Sequence, residues 1–269
     1  LSKQGAFKFW GGVKGFDTKA AAAELLTYFM VVSGIVGAVL GIVIGSLVAI
    51  VGVPDKIGLL IGVIIVAGSL VFGSVSFSQG GADETRFLGL TELSGDLHPR
   101  VVSLLEGLSA TVGIDMPGAY LLDEPQINTV AIVGPGRQGA FVVTSGALEL
   151  LTRMELEAII ARELVKIRTG QVQYEARLRA FQRTMGKYSQ RFVPSAHSHE
   201  MLGRDIANDI GGITITRFPP ALISAMERAE EISVRPSKDT ERRLFAQFWF
   251  IPEFDDIEMD QRIAELSGF

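Results

Sequence analysis

The sequence predicts an α+β protein: a two-helix transmembrane hairpin followed by a mainly helical soluble domain with a small β-sheet. Three observations predict it. Two long uncharged apolar runs stand near the N-terminus, short strand-like segments cluster between residues 118 and 143, and most of the chain beyond residue 144 has helical periodicity. The expected division is an N-terminal segment at 1–23, the hairpin at 24–78 and the soluble domain at 79–269.

The apolar runs come first. No charged residue lies between Leu25 and Pro54, nor between Ile57 and Ala82, and only Pro54-Asp55-Lys56 separates the two runs. A bilayer core of about 30 Å needs roughly 20 apolar helical residues, and both runs exceed that. A soluble helix of such length shows a polar face, which neither run has. A cleaved signal peptide would carry an apolar region of only about 7–15 residues. With so short a turn, both outer ends of the hairpin lie on one side of the membrane. Lys3, Lys8, Lys14 and Lys19 precede the first run, which by the positive-inside rule makes that side cytoplasmic. The expected location is therefore the cytoplasmic (inner) membrane, multi-pass, with the soluble domain in the cytoplasm.

Gly37, Gly41 and Gly45 recur at four-residue spacing in the first run, and Gly58 and Gly62 in the second. Such a stripe lets two backbones approach closely. Packing of the hairpin on itself is the expected use, and a seam for a second membrane subunit is the alternative. The chain has no cysteine and a net charge of −5. The first fits a reducing compartment, and the second argues against a general nucleic-acid binder.

Ser78–Asp83 reads as a linker. Val101, Leu104, Leu105 and Leu108 predict a helix over 97–112. Gly118–Leu122, Thr129–Val133 and Ala140–Val143 read as strands, with Gly134-Pro135-Gly136 as a turn. Thr144 or Ser145 is placed to cap a helix to Leu151, and a longer helix is expected from Arg153 to about Lys187. Residues 188–203 read as irregular, and Arg204–Thr216 as a helix. Pro219 opens another helix to about Ile232. Helical stretches near Thr240–Trp249 and Ile257–Leu266 complete the domain.

One stretch is distinctive. Thr144-Ser145-Gly146-Ala147-Leu148-Glu149-Leu150-Leu151, followed by Glu155-Leu156-Glu157-Ala158-Ile159-Ile160-Ala161-Arg162-Glu163-Leu164-Val165-Lys166, resembles the active-site helix of the HtpX-like membrane zinc metallopeptidases, relatives of the CAAX prenyl proteases. In that family a "T-x-G-L-L-x-x-L" segment leads into "E-L-E-A-V-x-A-H-E-x-x-H". Upstream, Leu121–Ala131 resembles the family's strand approaching "N-A-F-A". Downstream, Arg204-Asp205-Ile206-Ala207-Asn208-Asp209 stands where the family has "R-E-x-x-A-D". Thr216-Arg217-Phe218-Pro219 is similar to "T-R-x-P", and Gln261-Arg262-Ile263-Ala264-Glu265-Leu266 to a closing "E-R-I-x-x-L". The resemblance implies a zincin-type domain.

It also implies chemistry that the residues here do not supply. Two histidines four apart on one helix face reach a single zinc, a later glutamate is the third ligand, and the glutamate beside the first histidine takes the proton of bound water. The first histidine position is Arg162, the second Lys166, the third-ligand position Asp205, and the general-base position Glu163. Arginine keeps its proton in proteins, and a charged lysine has no lone pair to donate. No catalytic residue, metal or cofactor is therefore expected, although zinc is expected in the family. His197 and His199 could bind a metal weakly, a solvated loop pair being the plainer reading. Contact between Arg162 and Asp205 is expected within an ion-pair cluster that also holds Lys166 and Glu163 and replaces the metal as the tie between two helices.

The function this implies is a catalytically inactive pseudo-peptidase, a binding or assembly subunit of a membrane protein complex. The alternative is an active membrane metalloendopeptidase in protein quality control, with a displaced metal site using Glu163, Asp205 and His197 or His199. A third reading is an unrelated role for an inherited fold. The strand near Ile127–Ile132 is a candidate edge for peptide addition. Phe245, Phe248, Trp249, Phe250 and Phe254 are expected to serve as core rather than as interface.

Overall fold

The computed structural model describes residues 17–52, 54–79, 83–185, 199–232, 244–252 and 256–269. Lys3, Lys8, Lys14, linker residues 80–82, His197 and Phe254 lie outside the described residues, as do the side chains of His199, Glu200 and Met201.

Two compact units form. The first holds the hairpin: α1 (Thr18–Ile50), α2 (Asp55–Gln79) and the part of α7 (Gln171–Met185) from Arg177 on. Both α1 and α2 are long and apolar enough to cross a membrane, and only 11% of the most apolar window of each is buried, unlike a helix in a soluble core. The glycines are used within the hairpin. A Cβ on Gly41 would sit 2.9 Å from the Gly62 carbonyl oxygen, and one on Gly58 would sit 3.1 Å from that of Gly45. Phe29 on α1 packs edge-on against Phe77 of α2 and Phe181 of α7, at 5.7 and 4.7 Å between ring centres.

The second unit holds the sheet and the remaining helices. After α3 (Thr85–Leu88) come β1 (Thr91–Glu92), α4 (Pro99–Val112), β2 (Gly118–Leu122), β3 (Thr129–Val133) and β4 (Gly139–Thr144). The strand order is β1-β2-β4-β3. β2 and β4 are parallel, with Tyr120 opposite Val142, and the other pairs are antiparallel. β3 is an edge strand by pairing, yet all five of its residues are buried. Its near-continuous apolar run, Thr129-Val130-Ala131-Ile132-Val133, suits a strand covered on both faces.

Four helices follow α5 (Ser145–Leu150) in this unit: α6 (Arg153–Thr169), α8 (His199–Thr216), α9 (Pro219–Glu231) and α10 (Asp256–Leu266), joined by the start of α7. Thr144 caps α5, its hydroxyl accepting from the Ala147 amide. Helix α6 is the hub and packs against α4, α8, α9 and β3. Its start is set by a reciprocal cap: the Thr152 hydroxyl accepts from the Glu155 amide, and Glu155 accepts from the Thr152 amide at 2.7 Å. Leu156, Ile159, Ile160 and Leu164 are fully buried, each contributing roughly 1.5–3 kcal/mol.

Four boundaries differ from the sequence expectations. The single helix over 153–187 is two helices, because Gly170 (φ 77°) turns left-handed and its amide caps the Lys166 and Ile167 carbonyls. Helix α8 begins at His199, inside the segment read as irregular. In the stretch near Thr240–Trp249, the described residues from Leu244 make one helical turn and then bends. Finally, α3 and β1 are too short to carry a periodic signal. Phe245, Phe248, Trp249 and Phe250 are buried, as expected of core.

Gly170→Ala is expected to cost about 1 kcal/mol or more, because alanine is strained at positive φ. Gly107→Ala, at an exposed site inside α4 with nothing within 4 Å of the added Cβ, is expected to be neutral or stabilising by up to about 1 kcal/mol. Denaturant titration of the two purified variants checks the contrast.

Candidate functional site

Residues four apart on a helix share one face. Arg162 and Lys166 therefore point the same way from α6, as Asp205 and Asp209 do from α8. The two helices approach so closely that a Cβ on Gly212 would lie 3.0 Å from the Arg162 backbone nitrogen. Arg162 and Glu163 are completely buried, and Lys166 is 1% exposed. Charges at such positions require partners.

The Arg162 guanidinium spends three of its nitrogens on three carboxylates. Nε donates to Asp209 Oδ1 at 2.7 Å, Nη1 to Glu163 Oε1, and Nη2 to Asp205 Oδ1. The contact between Arg162 and Asp205 expected from the sequence is thus present. The cluster is larger than the four residues foreseen. Arg262 of α10 grips Asp209 in a fork, Nε to Oδ2 at 2.7 Å and Nη2 to Oδ1 at 2.9 Å. Both guanidiniums also stand over the Phe250 ring, each central carbon 5.4 Å from the ring centre. Lys166 Nζ stands 3.5 Å from both Glu163 Oε2 and Glu175 Oε2 and donates to the Phe248 carbonyl at 3.1 Å.

Burial pushes the Asp209 pKa up; the Arg262 and Arg162 charges and their hydrogen bonds override it and leave the pKa lowered. Burial likewise opposes charge on Arg162, and Glu163, Asp209 and Asp205 reverse this, pushing its pKa up.

The strand edge beside this cluster is filled from within the unit. Antiparallel pairing leaves alternate residues of β3 with their backbone groups turned away from β4. The Thr129 carbonyl accepts from the Phe250 amide at 2.8 Å. The Ala131 amide donates to Glu163 Oε2 at 2.8 Å. At Val133 the amide donates to Glu84 Oε2 at 3.1 Å, and the carbonyl accepts from the Glu84 amide at 2.8 Å. Asn128 clamps Ile251 through both its amide and its carbonyl. The edge expected to accept a peptide is therefore largely taken: Phe250, Glu163 and Glu84 occupy the Thr129 carbonyl, the Ala131 amide and both Val133 groups.

His98 starts α4 without a side-chain cap. Among the described residues, no group of three or more His, Cys, Asp or Glu side chains is arranged to hold a metal ion. Asp209 and Arg262 stand in the two downstream segments that carry the family resemblance, so a signal for them existed. Glu84 and Glu175 had none.

No protein-family model matches the chain. Curated relatives do. It is 35% identical over 117 residues to a Protease HtpX homolog of Dictyoglomus thermophilum, covering 43% of this chain and 37% of that protein. The Protease HtpX homolog of Dictyoglomus turgidum is 33% identical over 99 residues, 37% of this chain and 31% of that one. Over these stretches the chain is similar to the Protease HtpX homologs. A third such homolog, from Streptococcus mutans, is 29% identical over 144 residues, covering 54% of this chain and 44% of its own length. The matches to the first two span about a third of those relatives' length. With two exposed helices long and apolar enough to cross a bilayer, the chain is a membrane protein.

Asp209→Ala is expected to cost about 3–5 kcal/mol, because it leaves two buried guanidiniums short of a carboxylate. The pH dependence follows from the lowered pKa of Asp209. Its contribution is fully present above the unfolded pKa of about 3.9 and is lost as pH falls through the lower folded value. Asp209→Asn should flatten that acid limb while lowering stability at pH 7. Denaturant curves from pH 7 to pH 3 measure both.

Proposed function

We propose that the chain is a membrane-anchored, catalytically inactive metallopeptidase homologue that serves as a binding or assembly subunit of a membrane protein complex. The observation that carries this reading is the state of Glu163. The general-base position is fully buried, one oxygen held by Arg162 and the other by the Ala131 amide beside Lys166. Both of its oxygens are engaged by this chain's own groups.

The residues do not fit a catalytic zinc. Zinc ligands must present lone pairs, and the two ligand positions on α6 present buried cations instead. Asp205 Oδ1 and both Asp209 oxygens face Arg162 and Arg262. Displacing either arginine would leave carboxylates facing one another. The proposed cofactor is therefore none. The proposed location is the cytoplasmic membrane with the soluble domain inside, on the strength of Lys3, Lys8, Lys14 and Lys19 preceding the first span. The proposed partner is another membrane protein, not a nucleic acid, and it binds away from the filled β3 edge.

The competing reading, an active endopeptidase with a displaced metal site, is favoured only by the names of the relatives. Zinc content of the chain purified without chelators separates the two. Less than about a tenth of an equivalent is expected, against about one for an H-E-x-x-H relative. Glu163→Gln should leave any residual proteolysis unchanged. One zinc per chain, with cleavage abolished by Glu163→Gln, would establish the enzyme instead. Orientation is read separately, because the chain has no cysteine. Ser103→Cys on α4 should resist a membrane-impermeant maleimide in intact cells, while Val51→Cys at the hairpin turn should react.

A further inference from the structure

The chain leaves the soluble unit after Thr18 and has rejoined it by Asp83, and both passages start from one end of that unit. The Thr18 hydroxyl donates at 3.3 Å to the carbonyl of Thr169, the last residue of α6. On the return, the Glu84 amide donates at 2.8 Å to the carbonyl of Val133, the last residue of β3. These two element ends adjoin. Gly139 pairs with Val133, and a Cβ on it would lie 2.5 Å from Ile167 Cγ2. Covalent length then limits the distance to the bilayer. Leu25, where the uncharged run begins, is about 10 Å along α1 from Thr18 at 1.5 Å per residue. Asp83 follows Gln79, the last residue of α2, by four positions, at most about 14 Å of chain. The headgroup layer fills about 5–8 Å of that interval. This end of the soluble unit therefore stands within reach of the headgroups.

That end carries unmatched positive charge. The turn between β3 and β4 exposes Arg137, and the last turn of α6 exposes Arg168. Among the described residues, neither makes an ion pair. The acidic groups nearby are already engaged: Asp83 faces Arg86 at 3.5 Å, Glu84 is buried on the Val133 amide, and Asp17 has a partner of its own. Arg137 also holds φ 65°, directly after Gly136 at φ 66°. That left-handed conformation costs an arginine free energy and a glycine almost none. A strained residue that makes no ion pair within its own chain points to a use outside it. Basic side chains beside a span attract anionic headgroups over about a Debye length.

We propose that the soluble domain docks on an anionic bilayer surface through the β3–β4 turn and the end of α6, with Arg137 and Arg168 on lipid phosphates. The docking holds whether or not the domain is catalytic and whichever side of the membrane it occupies. It rests only on the hairpin being in a membrane.

The test uses the full chain in nanodiscs, either of phosphatidylcholine or of equal parts phosphatidylcholine and phosphatidylglycerol. Because the chain has no cysteine, Gln138→Cys in the turn takes a single fluorophore. A trace of lipid with a nitroxide on its headgroup quenches that fluorophore when the domain is docked. Phosphatidylglycerol is expected to raise the ratio of docked to undocked chains about twentyfold. Raising salt from about 0.1 to about 1 M, which shortens the Debye length from about 10 to about 3 Å, should reverse it. Arg137→Gly and Arg168→Gln should each lower the ratio about fivefold, and Arg137→Lys should retain it. Arg137→Gly keeps the turn, because glycine accepts positive φ, so its loss of docking would not be a loss of fold. A fluorophore on Leu97→Cys is the control. Leu97 is 78% exposed just before α4, whose Arg100 bonds the Leu151 carbonyl at the opposite end of α6. It should stay unquenched in both lipids. Equal quenching of the Gln138 site in the two lipids would overturn the proposal, since the tether alone would then set the position. So would docking that survives both arginine variants, or quenching at Leu97 instead.

Discussion

A fully buried guanidinium is the constraint around which the soluble domain is arranged. Arg162 can neither lose its proton nor reach water, so acceptors must be brought to it from several directions. Helix α8 supplies Asp205 and Asp209 from one face, and Glu163 supplies a third carboxylate from the next position along α6. Asp209 then requires more positive charge than Arg162 alone gives, which Arg262 of α10 provides. Gly212 follows from the same demand, since a larger residue would hold α8 away from Arg162.

Such a cluster is a poor source of net stability. Desolvation costs several kcal/mol per ion in effective terms, and well-packed apolar residues of the same volume often do as well or better. What it supplies is discrimination among packings, because almost any shift of α6, α8 or α10 would leave a charge without its partner. It also ties down the segment that crosses the β3 edge. Lys166 holds the Phe248 carbonyl at 3.1 Å and Arg262 the Phe250 carbonyl at 2.7 Å. Lys166, at a position that would ligate zinc in the resembling family, thus helps to hold the chain's own backbone over the β3 edge.

The membrane unit obeys a different rule, because its solvent is hydrocarbon. Lipid tails are as apolar as leucine, so close backbone approach and dispersion hold helices together. Gly41 facing Gly62 and Gly45 facing Gly58 provide that approach. The glycine stripe is therefore occupied by the hairpin itself.

The sequence by itself determined the elements whose signals are local. Uncharged length gave the hairpin, short apolar segments between turn residues gave β2, β3 and β4 nearly to the residue, and helical periodicity placed the start of α6 at Arg153. It also named the positions at which this chain departs from the resembling family's histidines, because that departure is a change of residue type. It named Arg162, Lys166, Glu163 and Asp205 and their mutual need. Only the tertiary structure decided how that need is met. Glu175 reaches Lys166 from the next helix, and Asp209 meets Arg262 across 53 positions of chain. No local pattern distinguishes a buried carboxylate from a solvated one. The break at Gly170 was hidden for a related reason, since a glycine at a helix end and one inside a helix look alike until φ is known. The closing of the β3 edge was the least legible of all. It depends partly on backbone groups of Glu84 and Phe250, which carry no residue identity for a sequence to show, and partly on carboxylates of Glu84 and Glu163 that only folding brings there.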